Sequence, residues 1–264
     1  MGADGDVRVR GVTDVTRVAV SVPAAEREQA IARLLELAPQ GFEESDRGAE
    51  IELAAYVDDV GAAAMRLAFP GAESTAVEPG WEDRWRGFHQ PAWAGGVWLG
   101  PPWETPPAGA PAVVIDPGRA FGTGAHATTR LCIELLAGLD RRGSLLDIGC
   151  GSGVLALAAA RLGYGPIVAI DDDPVAVEVT RANAAANGVA FDARLVDALH
   201  DPLPEAEVAV ANVLLAPVEA ILARLESELV ITSGYLAGER PRVGGWEVRS
   251  HAELDGWSAD VLAR

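Results

Sequence analysis

The sequence contains no lysine. All 21 basic residues are arginine, against 39 acids, for a formal net charge of −18. An acidic surface speaks against a nucleic acid backbone as the main partner, because that binding is dominated by cationic contacts; it suits a basic protein instead. Composition bias alone can also produce both the charge and the preference for arginine. Cysteine is nearly as scarce: Cys132 and Cys150 are the only two, neither in a CxxC pair, so no disulfide framework or thiolate metal site is expected. His89, His126, His200 and His251 have no ligand spacing, so no metal is expected either. No apolar run reaches the roughly 18–20 residues that span a bilayer, and the N-terminal MGADGDVRVR lacks the apolar core of a signal peptide. A soluble, cytoplasmic, monomeric protein is expected.

What the chain has in quantity is apolar side chains, 49% of 264 residues, enough for one large domain or two smaller ones. The most ordered stretch is Leu145 to Asp171, LLDIGCGSGVLALAAARLGYGPIVAID. An apolar run ends in Gly149, Gly151 and Gly153, a long Ala/Leu segment follows, and a second apolar run ends in an acid. That is strand, tight turn, helix, strand. Residues without a Cβ let the backbone turn sharply and let a ligand approach a helix N-terminus. Asp171 at the second strand end can accept from a ribose, so the unit suits a nucleoside-containing cofactor. The dinucleotide fingerprint requires G-x-G-x-x-G, whereas this loop is G-x-G-x-G preceded by Asp147. D-x-G-x-G-x-G after a strand resembles the first motif of class I S-adenosylmethionine (AdoMet) methyltransferases.

Ahead of this unit, Thr16–Val22 alternates as a half-buried strand and Pro23 opens an amphipathic helix through Leu37. Residues 41–58 read as two strands meeting near Arg47 and Gly48, 61–69 as a short helix and 73–77 as a weak strand. The order βαββαβ predicts a small α+β, ferredoxin-like domain over residues 1–78, with docking as its expected task. Residues 79–111 carry five tryptophans and seven prolines. They are expected to form a short helix, WEDRWRGF, and then an irregular interdomain linker whose aromatics either pack or stack a substrate. Residues 112–264 then form the cofactor domain. Its strand AVVID runs into a loop of glycines, threonines and His126, placed ahead of a helix starting near Thr128.

FGTGAHATT, LLDIGCGSGVLALAAARLG, IVAIDDDP, VANVLLAP and ITSGYLAGE together resemble the PrmA family, methyltransferases that act on amino groups of ribosomal protein L11. GFEE at 41–44 and WEDRW resemble that family's N-terminal domain and linker, so the likeness touches the whole chain. It implies AdoMet as cofactor, L11 as partner, and a Rossmann-like α/β fold with a seven-stranded sheet. It also implies cofactor contacts at Thr129, Gly149, Asp171 and Asn212, with Phe121, Gly122, Thr123 and Gly151 in the matching loops. The chain departs from the family on either side of the fifth strand, Leu229–Ser233, where the connector before it and the helix after it are short.

Three positions keep two readings each. Asp197, after the third strand, either accepts from the adenine amino group or is a solvated turn acid. Asn212, ending the fourth strand, either holds a substrate amine with its amide oxygen or caps the next helix. His126 either takes a proton from the amine or orders its loop. The overall expectation is an AdoMet-dependent protein methyltransferase. The alternatives are the same fold acting on another protein or a small amine, an NAD-dependent oxidoreductase, and a docking protein that binds AdoMet without turnover.

Overall fold

The computed structural model describes residues 16–38, 42–76, 90–116, 124–140 and 142–264. The chain divides into two compact units, Met1–Trp85 and Arg86–Arg264.

The first unit runs β1 (Thr16–Pro23), a 3-10 turn (Ala24–Glu26), α1 (Arg27–Leu37), β2 (Glu43–Asp46), β3 (Glu50–Val57), α2 (Asp59–Ala68) and β4 (Glu73–Ala76). Its sheet has the order β2-β3-β1-β4, with every neighbouring pair antiparallel. Period-two alternation buries Val18, Val20 and Val22 of β1 and Ile51, Leu53 and Val57 of β3, together with Ile31 and Leu34 of α1 and Met65 of α2. Asp58 starts α2 by accepting a 2.8 Å bond from the Gly61 amide. On the alternate positions of β1, β2 and β3, Arg17 bridges Glu43 and Glu52, and Tyr56 donates to Glu43.

The second unit is built on a seven-stranded sheet of order β10-β9-β8-β11-β12-β14-β13. Strands β8 (Leu145–Ile148), β9 (Ile167–Asp171), β10 (Asp192–Leu195), β11 (Val208–Asn212) and β12 (Leu229–Leu236) are parallel. Strand β14 (Trp257–Ala263) is antiparallel to β12 and to the edge strand β13 (Glu247–Leu254). Leu145, Val210 and Ile231 share a core with α3 (Ala127–Gly138), α4 (Val154–Arg161) and α5 (Pro174–Ala186). Leu146, Ile148 and Val230 face α6 (Leu215–Leu222) on the opposite side. The short helix expected after the fifth strand is not formed: no helix lies between β12 and β13. Trp246 covers part of that face instead, packing on the α6-side core and donating through Nε1 to the Leu222 carbonyl at 2.9 Å. The β13–β14 turn is Asp255-Gly256, both at positive φ, as expected of a two-residue hairpin.

The stretch 79–111 differs from the expected irregular linker. Residues 77–89, including the expected WEDRWRGF helix, lie outside the described residues. Beyond them, β5 (Ala92–Ala94) and β6 (Val97–Gly100) form a hairpin whose second strand pairs in parallel with β7 (Ala112–Val114). The physical reason is Gly95-Gly96, both at positive φ, which supplies a two-residue hairpin turn between two short apolar runs. The prolines at 101, 102, 106, 107 and 111 only bound these strands. The small sheet belongs to the second unit. Asn187, ending α5, pairs with both backbone groups of Val114 at 2.8 and 2.7 Å, and Arg161 donates to the Ala112 carbonyl at 2.8 Å.

Candidate active site

The order in which strands are added switches side of the sheet between β8 and β11, which are themselves parallel. From β8 the chain proceeds outward to β9 and β10, then returns to β11 on the other side of β8. Ligands of open parallel sheets bind at the carboxyl ends of strands at such a switch point. Gly149 follows β8, Asp171 ends β9 and Asn212 ends β11, so three of the predicted residues converge there because of topology.

The glycine loop is built tightly. Gly149, Gly151 and Gly153 have φ of 70°, 54° and 79°, a region costly for residues with a Cβ. The amides of Gly149 and Cys150 both donate to the Ile170 carbonyl, at 2.9 and 3.0 Å. From α5, Thr180 donates to the Gly151 carbonyl at 3.0 Å and Asn183 donates to the Ser152 carbonyl at 2.9 Å. A Cβ at Gly149 would lie 2.6 Å from Val213 Cγ1, and one at Gly234 would lie 2.3 Å from the Val213 carbonyl oxygen. The residue after Asn212 is thus held between the β8 loop and strand β12.

Asp171 accepts from the Gly151 amide through Oδ2 at 2.9 Å and from the Asp173 amide through Oδ1 at 3.0 Å. Burial raises its pKa, as do the neighbouring Asp172 and Asp173, against the two backbone bonds. Asp147 is fully buried beneath the loop. Its Oδ2 accepts from the Ala156 amide at 3.0 Å, and its Oδ1 has no hydrogen-bond partner among the described residues. Burial, with the Asp171 charge adding to it, pushes its pKa up to about 7.

Asn212 does not cap the next helix. The N-cap of α6 is Leu214 and has no side-chain cap bond. Asn212 Nδ2 instead points to Thr129 Oγ1 at 3.5 Å, while its buried Oδ1 has no partner among the described residues. An unsatisfied buried acceptor is costly unless a ligand satisfies it. His126 is the N-cap of α3, its Nδ1 2.8 Å from Thr128 Oγ1, and it stacks edge-on against Trp257 with centroids 5.0 Å apart. Burial lowers its pKa to about 4, so the imidazole is neutral at physiological pH. Asp197 sits past β10, beside Asp171: the Val196 amide donates to the Asp171 carbonyl. Its Oδ1 accepts from the Leu199 amide at 2.8 Å and its Oδ2 lies 2.7 Å from His200 Nδ1; the His200 bond is the main cause that lowers its pKa.

The structure therefore brings Thr129 to Asn212 and Gly149 and Gly151 to Asp171, with Asp197 at the same sheet end. Phe121, Gly122 and Thr123 lie outside the described residues. Thr180, Asn183 and Gly234 escape the sequence reading. Nothing local marks the two α5 residues, whereas Gly234 sits inside the ITSGYLAGE motif. Among the described residues no cluster of His, Cys, Asp and Glu could hold a metal ion, and no helix is long and apolar enough to cross a membrane.

Known proteins are similar to this chain. The family pattern described as ribosomal protein L11 methyltransferase (PrmA) matches residues 17–262. The ribosomal protein L11 methyltransferase of Symbiobacterium thermophilum is 36% identical over 223 residues, 81% of this chain and 71% of that one. That of Klebsiella pneumoniae is 44% identical over 162 residues, 59% of this chain and 54% of the relative, so the match spans about half of the latter's length. A crystal structure of ribosomal protein L11 methylase from Lactobacillus delbrueckii subsp. bulgaricus superposes with a TM-score of 0.58 at 25% identity, over 64% of this chain and 95% of that one. With the glycine loop, the acid at the next strand end and Asn212 falling inside a pattern that runs nearly end to end, the chain belongs to the PrmA family of ribosomal protein L11 methyltransferases.

Proposed function

We propose that this chain transfers methyl groups from AdoMet to amino groups of ribosomal protein L11, the substrate in the names of its relatives. One observation carries the reading: Asn212 presents a buried, unpartnered Oδ1 at the same sheet end as the glycine loop and Asp171. The residues present fit the cofactor. Gly149 and Gly151 leave bare backbone ahead of α4 for its amino acid part, and each Asp171 oxygen keeps a lone pair for a ribose hydroxyl. When bound, AdoMet supplies a methyl group on a sulfonium, already a strong electrophile.

The chain's own task is then positioning. Asn212, a cofactor-contacting position by the family likeness, borders the AdoMet site, and its Oδ1, with a neighbouring backbone carbonyl, accepts N–H bonds from the incoming amine and aims its lone pair. Thr129 holds the Asn212 amide, and Asp197 accepts from the adenine amino group. His126, whose pKa is far below that of an ammonium group, is a poor acceptor for its proton and serves to order the loop ahead of α3. The family likeness adds Phe121, Gly122 and Thr123 to the residues assigned to cofactor binding.

The βαββαβ order and the antiparallel β2-β3-β1-β4 sheet support reading residues 1–78 as a ferredoxin-like recognition domain ahead of a catalytic unit that holds residues 112–264 together with the β5–β6 hairpin. The charge of −18 suits a basic protein substrate and argues against direct nucleic acid binding. A cytoplasmic monomer fits this role.

Incubating the purified chain with AdoMet and L11 and weighing intact L11 tests the proposal. Successive methylene-mass additions on L11 are expected, and tandem spectra will place them on amines. Unmodified L11, alongside methylation of another protein or a small amine from the same cell extract, would move the chain to a different substrate.

A further inference from the structure

One register row beneath Asn212, polar side chains cross three neighbouring strands of the sheet. Ala211 of β11 pairs with Thr232 of β12, Thr232 with Asp260 of β14, and Asp260 with His251 of β13. Thr232 and Asp260 are fully buried, and Tyr235 nearly so. Their bonds form one connected set that converges on the Asp260 carboxylate. Thr232 Oγ1 lies 2.9 Å from Tyr235 Oη, Tyr235 Oη donates to Asp260 Oδ2 at 2.8 Å, and His251 Nδ1 lies 2.8 Å from Asp260 Oδ1. A hydroxyl can accept one bond while donating another, so the set closes with Thr232 donating to Tyr235 and His251 donating to Asp260. The outer end reaches the surface at His251, whose Nε2 meets Glu253 Oε1 at 3.2 Å.

This row surrounds a distortion in β12. The ladder with β14 slips between Ser233 and Tyr235, and Gly234 bulges out at φ 102°. The bulge brings Gly234 so close to the Asn212 turn that a Cβ there would strike the Val213 carbonyl at 2.3 Å. Tyr235 reaches back over the bulge to Thr232, three residues earlier, and Asp260 fixes the tyrosine from the neighbouring strand. Bulges re-aim residues beside active sites. A buried carboxylate is also a costly filler where valine or leucine would pack as well, and such groups are best attested where they fix a geometry.

We propose that Tyr235, Asp260 and His251 are positioning residues: they lock the Gly234 bulge against Val213 and thereby hold the Asn212 side chain at the cofactor end of β11. The inference rests on the reading of Asn212 as a cofactor-site residue, and it concerns side chains outside the glycine loop. Tyr235→Phe removes only the Oη; His251→Gln is the milder partner at the surface, useful where Asp260→Asn fails to fold.

Two measurements on the full chain test it. In Tyr235→Phe, hydrogen exchange in residues 212–215 should speed up at least fivefold, while β9 and β10 keep their protection. AdoMet affinity by calorimetry should fall about threefold to tenfold in Tyr235→Phe, and this loss should vanish when Asn212→Ala is already present, because residues acting through one another are not additive. Equal loss in both backgrounds, or unchanged exchange at 212–215, overturns the proposal. Faster exchange with wild-type AdoMet affinity in Asn212→Ala would leave the mechanical link standing and remove instead the role given to Asn212.

Discussion

The amide of Gly151 donates a 2.9 Å hydrogen bond to Oδ2 of Asp171. The acid closing β9 therefore shapes the glycine loop that closes β8, and its carboxylate both orders the loop and faces the proposed ribose. Asp171→Ala is expected to weaken AdoMet binding at least tenfold in calorimetry, since losing a hydrogen bond to a charged group costs on the order of 1.5–3 kcal/mol. Asp171→Asn, which keeps one acceptor oxygen, should fall between wild type and alanine. An alanine variant that binds as wild type removes Asp171 from the site.

Gly149 and Gly188 separate backbone strain from a blocked approach. Both have positive φ, but a Cβ at Gly188 meets open space and one at Gly149 meets Val213 at 2.6 Å. Gly188→Ala should cost about 1 kcal/mol of stability, the expense of a left-handed residue, with AdoMet affinity intact. Gly149→Ala should lose more stability and more than tenfold in affinity. Equal thermal shifts and equal binding in the two variants would show that Val213 yields freely.

Asp147 ties stability to pH. Its pKa stands near 7 in the fold, above the usual carboxylate value, because burial disfavours the charge. Between the unfolded and folded values the native state binds the extra proton, so its contribution is fully present below the unfolded value and is lost as pH rises toward 7. Asp147→Asn, a neutral isostere, should melt higher relative to wild type at pH 8 than at pH 5. A melting difference independent of pH would contradict a raised pKa.

His126 has the opposite sign. Its folded pKa of about 4 lies below the ordinary imidazole value, so the unfolded chain takes up a proton first as pH falls, and stability drops through the window from about 6.5 to 4. His126→Asn, which retains an N-cap acceptor, should flatten that drop and keep the same activity profile between pH 6 and 9. His126→Ala should lose about 1 kcal/mol with its cap. A methylation rate whose acidic limb disappears in His126→Asn would instead make the imidazole a proton acceptor.

The order of elements was legible because apolar spacing and glycine placement act locally. Leu145–Asp171 reads as strand, turn, helix and strand, and Asp255-Gly256 reads as a hairpin turn. The residues 92–100 were harder. Their tryptophans and flanking prolines resemble a connector, and the pairing of β6 with β7 joins segments a dozen residues apart that no local signal links. The candidate site was legible where a motif marks it, at Gly149, Asp171 and Asn212, and hidden where it depends on support from another element, as with Thr180 and Asn183 on the glycine loop.

By itself the sequence determined which residues lack a Cβ, where the acids close the strands, and which short motifs place the chain in its family, because each of these is a property of a few neighbouring positions. Only the tertiary structure decided that Val213 is gripped between Gly149 and Gly234, that Asn212 leaves a buried oxygen unpaired instead of capping α6, and that Thr232, Asp260 and His251 fall in one row. Strand register and burial set those relationships, and both arise between segments distant along the chain, where neither propensity nor spacing reaches.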